Sequence, residues 1–247
     1  MKVSDFANNI VITVSLDSSL KEVIDVLSRN PSGRVVVLKD EKPVGIISTR
    51  DVVAAFSEYA FNVYELKAKD ISSETLVTIS PNDDVDYVIR LMLSNNIGGV
   101  PIVENNTLVG IFTEREVLKL INAKVFSGLV DSIMSTKVVT VDEESNIIDA
   151  AKLMTKSGVR RLPVIKDDKL IGIVTAADIV KFIAKSNVVG KVLDAGTRNP
   201  ITISRYDQIS KAAKIMMEKR IGTLPVLDQK LVGIVTERDL MYAYINA

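Results

Sequence analysis

The sequence contains no cysteine and no histidine. Without thiols there is no disulfide, no thiolate nucleophile and no sulfur ligand for a metal, and without imidazole the usual proton shuttle near neutral pH is missing. Carboxylates alone could hold zinc. Aromatic residues make up only 5% of the chain, leaving few platforms on which single-stranded bases could stack. Thirty-one basic residues balance thirty-one acidic ones, so no field of one sign draws the chain to nucleic acid or to an anionic membrane. A charged ligand has to be held locally. No apolar run approaches the roughly 18 residues of a membrane span. Asp5, Asn8 and Asn9 break the N-terminal stretch where a signal peptide would be apolar. A soluble, cytoplasmic protein is expected. Also missing are Gly-x-Ser-x-Gly, Gly-x-x-x-x-Gly-Lys-Ser/Thr and Gly-x-Gly-x-x-Gly, so Ser/Lys or paired-carboxylate chemistry has nothing to anchor it. The expectation is a protein that is not an enzyme, with no catalytic residues, no metal and no catalytic cofactor.

What is present is a core and a repeat. The 247 residues are 47% hydrophobic, enough to bury a substantial interior. Four segments align with hardly a gap. Each carries a Gly-Ile-apolar-Ser/Thr string, at Gly45–Ser48, Gly110–Thr113, Gly172–Thr175 and Gly233–Thr236. Upstream of each lies a Thr among apolar residues. From Thr13 to Gly45, Thr78 to Gly110 and Thr140 to Gly172 the separation is 32 residues, and from Thr202 to Gly233 it is 31. Self-similarity at a fixed period is the mark of a repeat architecture.

The hydrophobic period switches in the same order within each copy. Short β-branched segments around the four Thr residues predict strands. Helices follow, with apolar faces Leu20/Val23/Ile24/Leu27, Val85/Val88/Ile89/Met92, Ile147/Ala150/Ala151/Met154 and Ile209/Ala212/Ala213/Met216. The Met residues sit at the helical period and are expected in the core. Two strands separated by a polar turn come next, such as Lys166–Lys169 in the third copy, and a last helix opens just after the Gly-Ile string. The fold class is α/β (α+β), built from four β-α-β-β-α units. The boundaries predicted are 1–62, 63–123, 124–185 and 186–247, with a connector at residues 122–128. A unit of about 60 residues is marginal alone, so the copies should pair.

The last helices begin with Ser/Thr-x-x-Asp/Glu: Ser48…Asp51, Thr113…Glu116, Thr175…Asp178 and Thr236…Asp239. One reading is a capping box, which needs no ligand. Another uses the same helix N-terminus as an anion site, with the carboxylate accepting hydrogen bonds from a vicinal diol. A ribose phosphate meets both demands. Basic residues recur at one register, two and three positions before the strand Pro or its equivalent. Arg34 stands there in the first copy and Arg160 with Arg161 in the third, while the second has Gly98-Gly99 and the fourth Gly222-Thr223.

The string Gly-apolar-apolar-Thr-x-x-Asp, the run Arg160–Ile165 (Arg-Arg-Leu-Pro-Val-Ile) and the repeat length together resemble cystathionine-β-synthase (CBS) domains, in all four copies and over nearly the whole chain. Such domains pair side by side as Bateman modules, which implies modules 1–123 and 124–247, as in stand-alone archaeal CBS proteins and, by similarity, the γ subunit of the AMP-activated protein kinase. The resemblance implies a regulatory sensor that binds AMP, ADP or ATP in clefts between paired repeats. It places Asp51, Asp178 and Asp239 on ribose hydroxyls, with Ser48, Thr175 and Thr236 on the ribose-phosphate side. Arg34, Arg160 and Arg161 would face phosphates. The first strands, from Val138 to Thr140 in copy three and at Thr13 and Thr202 in copies one and four, would border the adenine. The second copy departs from the pattern through Glu116 and Gly98-Gly99, so a weak or empty site is expected there. S-adenosylmethionine is the alternative ligand, opposed by the Arg160-Arg161 pair, and a nucleic-acid-binding scaffold is the other class. The partners implied are an adenine nucleotide, an unidentified regulated protein and a second copy of the chain if the four repeats form half of a dimer.

Overall fold

The computed structural model describes residues 1–123 and 127–247. The connector expected at 122–128 and the boundary at 123/124 thus fall partly on residues 124–126, outside the described ones.

The first repeat comprises β1 (Thr13–Ser15), α1 (Leu20–Arg29), β2 (Arg34–Lys39), β3 (Lys42–Ser48) and α2 (Thr49–Tyr59), followed by the single turn α3 (Ala68–Ile71). The second has α4 (Val85–Ser94), β4 (Gly99–Glu104), β5 (Thr107–Thr113) and α5 (Glu114–Ala123). In the third, β6 (Val141–Asp142), α6 (Ile147–Ser157), β7 (Arg161–Lys166), β8 (Lys169–Thr175) and α7 (Ala176–Ile183) lead to the short α8 (Val192–Ala195) and β9 (Thr197–Arg198). The fourth holds β10 (Ile203–Ser204), α9 (Ile209–Lys219), β11 (Thr223–Asp228), β12 (Lys230–Thr236) and α10 (Glu237–Ile245).

Each hairpin turns on residues with left-handed φ. Asp40-Glu41, Asn105-Asn106 and Asp167-Asp168 serve the first three, with φ between 46° and 64°. Such two-residue turns suit the right-handed twist of paired strands, and Asn and Asp tolerate the conformation. The fourth hairpin is one residue shorter, turning at Gln229 (φ 61°), which accounts for the spacing of 31 in place of 32. In all four, a register shift falls just before the motif glycine.

The contacts divide the chain into two compact units, one of Met1–Val11, Val77–Val138 and Ile201–Ala247, the other of Ile12–Leu76 and Val139–Pro200. Each therefore combines alternate repeats. The core of one is shared by repeats 1 and 3, that of the other by repeats 2 and 4. All four predicted apolar helix faces are buried, and Met92, Met154 and Met216 are at most 2% exposed, as core residues. The faces pack helix on helix: α2 lies against α6 and α7 and α1 against α7, while α10 lies against α4, α5 and α9.

A feature that periodicity did not reveal links the repeats. The segment preceding each repeat packs onto its neighbour in the chain. The first amide of α1 donates to the Leu66 carbonyl, that of α4 to Met1, that of α6 to Gly190 and that of α9 to Gly128, at 2.8–3.0 Å. Each segment then crosses the motif glycine of the same repeat. A Cβ on Gly233 would stand 2.6 Å from Met134 Sδ and 3.1 Å from the Ser135 carbonyl, and one on Gly172 would lie 3.0 Å from the Thr197 carbonyl. The glycine is there because another stretch of backbone passes over it.

This exchange also corrects the strands expected at the four Thr residues. Only Thr13 lies within a strand; Thr140 and Thr202 immediately precede β6 and β10, and Leu76–Ile79 contributes a single bridge, Ile79 to Ile102. The physical reason is that the chain passes from one compact unit to the other inside these segments, at 11/12, 76/77, 138/139 and 200/201, so only their last residues remain to pair.

Candidate functional site

The hairpin brings the candidate polar residues of a repeat together. Antiparallel pairing sets Arg34 opposite Ser48, Gly99 opposite Thr113, Arg161 opposite Thr175 and Thr223 opposite Thr236. Directly opposed residues carry their Cβ atoms about 4.5–5.5 Å apart, so the basic register and the helix N-cap are neighbours although more than ten residues separate them. The residue before each of these strand positions clamps the helix start: the carbonyls of Gly33, Gly98, Arg160 and Gly222 accept from the amides of Thr49, Glu114, Ala176 and Glu237 at 2.8–3.2 Å.

The carboxylates close capping interactions. Asp178 Oδ2 accepts from the Thr175 amide at 2.9 Å and from its hydroxyl at 2.7 Å, while Thr175 Oγ1 accepts from the Asp178 amide at 3.2 Å. Asp239 and Thr236 repeat this arrangement. Asp51 Oδ2 takes the Ser48 amide and hydroxyl at 2.7 and 2.6 Å. In each aspartate a single oxygen does the capping. For Asp51 and Asp178 the other oxygen, Oδ1, makes no hydrogen bond to the described residues. A carboxylate offers about four acceptor positions, so the capping box and a diol contact are compatible on one side chain. Glu116 differs: Oε2 accepts from Thr113, and Oε1 lies 3.8 Å from Lys119 Nζ.

Burial pushes the Asp178 carboxyl above the usual carboxylate range, against the lowering effect of the two Thr175 hydrogen bonds. Its folded form therefore holds a proton more tightly than its unfolded form, and the stability this provides is present below the ordinary Asp pKa and lost as pH rises through the raised value. Asp178→Asn retains an acceptor for the cap and removes the buried charge. In urea titrations at pH 7 this variant is expected to be at least as stable as the parent, an advantage that fades below about pH 4. Asp178→Ala, which loses the cap, should cost about 0.5–2 kcal/mol. A uniform loss in Asp178→Asn at every pH would show that desolvation does not govern this carboxyl.

Arg34, Arg160 and Arg161 are half-buried, and Arg34 donates from Nη1 to the Ser32 carbonyl at 2.7 Å. Thr13 and Thr140 are exposed; β1 and β6 run parallel to β2 and β7, registering Thr13 with Val36 and Val141 with Val164. Val138 falls in the unit of repeats 2 and 4, on the other side of the division from Thr140. Sequence reasoning missed two buried acids, Glu114 and Glu237, at the first position of α5 and α10. Their signal was an acidic residue between the N-cap and N3 positions in copies two and four only. Among the described residues no cluster of three or more acidic side chains is arranged to hold a metal ion, and no helix is long and apolar enough to cross a membrane.

The profile of the CBS domain matches four stretches, residues 3–58, 68–123, 130–185 and 189–246. The uncharacterized protein MJ1225 of Methanocaldococcus jannaschii is 28% identical over 98% of this chain and 97% of its own. Its crystal structure, described as that of a proposed archaeal homologue of g-AMPK, superimposes with a TM-score of 0.88 over 99% of this chain and 100% of that one, at 26% identity. An uncharacterized conserved protein from Pyrococcus horikoshii shares the fold, with a TM-score of 0.67 at 21% identity over 98% and 99% of the two chains. The inosine-5'-monophosphate dehydrogenase of Methanocaldococcus jannaschii is 38% identical over 117 residues, 47% of this chain and 23% of the enzyme, and that partial overlap carries no reaction across.

Proposed function

Because the chain belongs to the CBS-domain family, we propose that it is a regulatory protein that senses adenine nucleotides. The observation that carries this reading is the third repeat. There Asp178 caps α7 with one oxygen, and the other makes no hydrogen bond to the described residues, in a half-buried position whose neighbouring N-cap, Thr175, stands directly opposite Arg161. A diol acceptor, a helix N-terminus and a guanidinium in one place fit a ribose 5'-phosphate, with the carboxylate on the hydroxyls and the positive groups on the phosphate. Repeat 1 offers the same set in Asp51, Ser48 and Arg34, and repeat 4 offers Asp239 and Thr236 without the arginine. Thr13, Thr140 and Thr202, with Val138, are proposed to border the base. The full-length likeness to a protein described as a proposed homologue of g-AMPK supports a nucleotide over S-adenosylmethionine, and so do the half-buried arginines, since S-adenosylmethionine carries a net positive charge and offers them a single carboxylate in place of a phosphate. The division into modules 1–123 and 124–247 is retained as part of this proposal, supported by the reciprocal exchange of segments between repeats 1 and 2 and between 3 and 4.

Thermal unfolding in the presence of AMP, ADP, ATP and S-adenosylmethionine tests the reading. A ligand at 100 times its dissociation constant adds about 2.7 kcal/mol, a shift of several degrees. The midpoint is expected to rise with the nucleotides and least with S-adenosylmethionine. An unchanged midpoint with all four at millimolar concentration would replace the sensor by a scaffold.

A further inference from the structure

In repeat 4 the strand residue paired with the N-cap of the last helix is a threonine, Thr223, set directly opposite Thr236 at the start of α10. Leu224 and Val226 belong to the apolar core, so the period of two along β11 turns Thr223 to the other face, the one it shares with Thr236. Thr223 is only 7% exposed. Its Oγ1 is fully buried and has no hydrogen-bond partner among the described residues.

Buried hydroxyls are ordinarily hydrogen-bonded, and one left without a partner lowers stability outright. Other buried polar groups of the same unit follow that rule: Thr113 donates to Glu116 at 2.5 Å, and Glu114 accepts from Arg238 at 3.1 Å. The strand itself does not require the hydroxyl, because valine has the same β-branched shape. Nor does the N-cap supply the missing bond. The Thr236 hydroxyl donates to Asp239 Oδ2 at 2.7 Å and accepts from the Asp239 amide at 3.4 Å, while the Gly222 carbonyl takes the Glu237 amide at 3.2 Å. Rotation about χ1 exchanges the Thr223 hydroxyl with its methyl, so Oγ1 can be presented at the start of α10 with the backbone unmoved.

We propose that Thr223 is a specificity-determining residue of repeat 4, whose hydroxyl is completed by the 5'-oxygen of a bound nucleoside or nucleoside monophosphate. The inference deepens the nucleotide-sensing proposal and rests on it for the identity of the ligand. With the diol on Asp239, at the third position of α10, the 5' end lies toward the N-cap and the strand residue opposite it. A hydroxyl both donates and accepts, so it serves the 5'-hydroxyl of adenosine and the ester oxygen of AMP alike. The positively charged sulfur that stands at this place in S-adenosylmethionine accepts no such bond.

Adenosine and 5'-deoxyadenosine, which differ only in that oxygen, test this on the full chain with labelled Thr and Val methyl groups. The methyl resonance of residue 223, identified by the exchange of a Thr for a Val signal in Thr223→Val, reads the affinity of repeat 4 apart from the other repeats. Wild type is expected to bind adenosine about two- to tenfold more tightly than 5'-deoxyadenosine there, the range for one neutral hydrogen bond. Thr223→Val should bind the two equally, and Thr223→Ser should keep the preference. Without ligand, Thr223→Val should be at least as stable as wild type in urea, since it removes a buried hydroxyl that has no partner. A lower stability would show the hydroxyl already satisfied and overturn the assignment, as would a preference for adenosine that survives in Thr223→Val. If calorimetry detects adenosine or AMP binding while the residue-223 methyl stays unmoved, the assignment fails and the sensor reading stands. If neither ligand binds at all, both fall together.

Discussion

Residues 1–123, produced without the rest of the chain, are expected to fold only at concentrations that let two copies associate. The reason lies in which repeats share a core. Repeat 1 shares its core with repeat 3: α2 packs against α6 and α7, and α1 against α7, all from the other half of the chain. Cutting at residue 123 uncovers Val52, Val53, Ala55 and Phe56 in one unit and, in the other, the α5 residues Val117, Leu118 and Ile121 that pack with repeat 4. Exposing a buried Val, Leu, Ile or Phe costs about 1.5–3 kcal/mol each, and a domain has only about 5–15 kcal/mol in hand. A monomeric half is therefore unstable. A second copy can restore the burial, because the four apolar helix faces follow one pattern and repeat 1 of one copy can stand in for repeat 3. Sedimentation equilibrium should show a dimer, and the thermal midpoint should rise with protein concentration by mass action. A cooperatively folded monomer with a concentration-independent midpoint would mean that each chain-order pair of repeats carries a core of its own.

That pairing was the part of the fold the sequence could not disclose. Spacing locates each helix face to the residue, as at Ile147, Ala150, Ala151 and Met154, because burial imposes a 3.6-residue period whatever lies on the other side. For the same reason it is silent on which helix lies there. The exchanged segments left one trace in the repeat, the glycine of the Gly-Ile string, but its cause is backbone packed on it from residues far away in sequence, such as Ser135 over Gly233. The candidate site was more legible. Ser/Thr-x-x-Asp marks the helix start by local hydrogen bonding, and a hairpin with a two-residue turn fixes which strand residue opposes the N-cap. What could not be read was that one oxygen of Asp178 suffices for the cap, since that depends on rotamer and burial.

The variant Arg160→Ala/Arg161→Ala should separate the two ends of the proposed ligand in repeat 3. Charge-assisted hydrogen bonds contribute about 1.5–3 kcal/mol each, so removing two guanidiniums from a phosphate should weaken AMP at this repeat by about 10²- to 10⁴-fold. Adenosine, which has no phosphate, should lose less than about tenfold. The backbone duty of Arg160, whose carbonyl accepts from the Ala176 amide at 2.8 Å, is kept by alanine, so the helix start is not undone. Urea titration of the unliganded variant reads out whatever the side chains contribute to stability on their own account and keeps that term apart from the binding term. Asp178→Ala gives the complementary pattern, because the diol is common to both ligands: AMP and adenosine should weaken by the same factor, together with the loss of the cap. Calorimetry with AMP and adenosine on both variants distinguishes the two ends. If the double variant loses AMP and adenosine equally, the arginines do not face the phosphate. Their role must then lie in the contacts they make within the folded chain, and the ligand would have to be placed in repeat 3 by Asp178 and Thr175 alone.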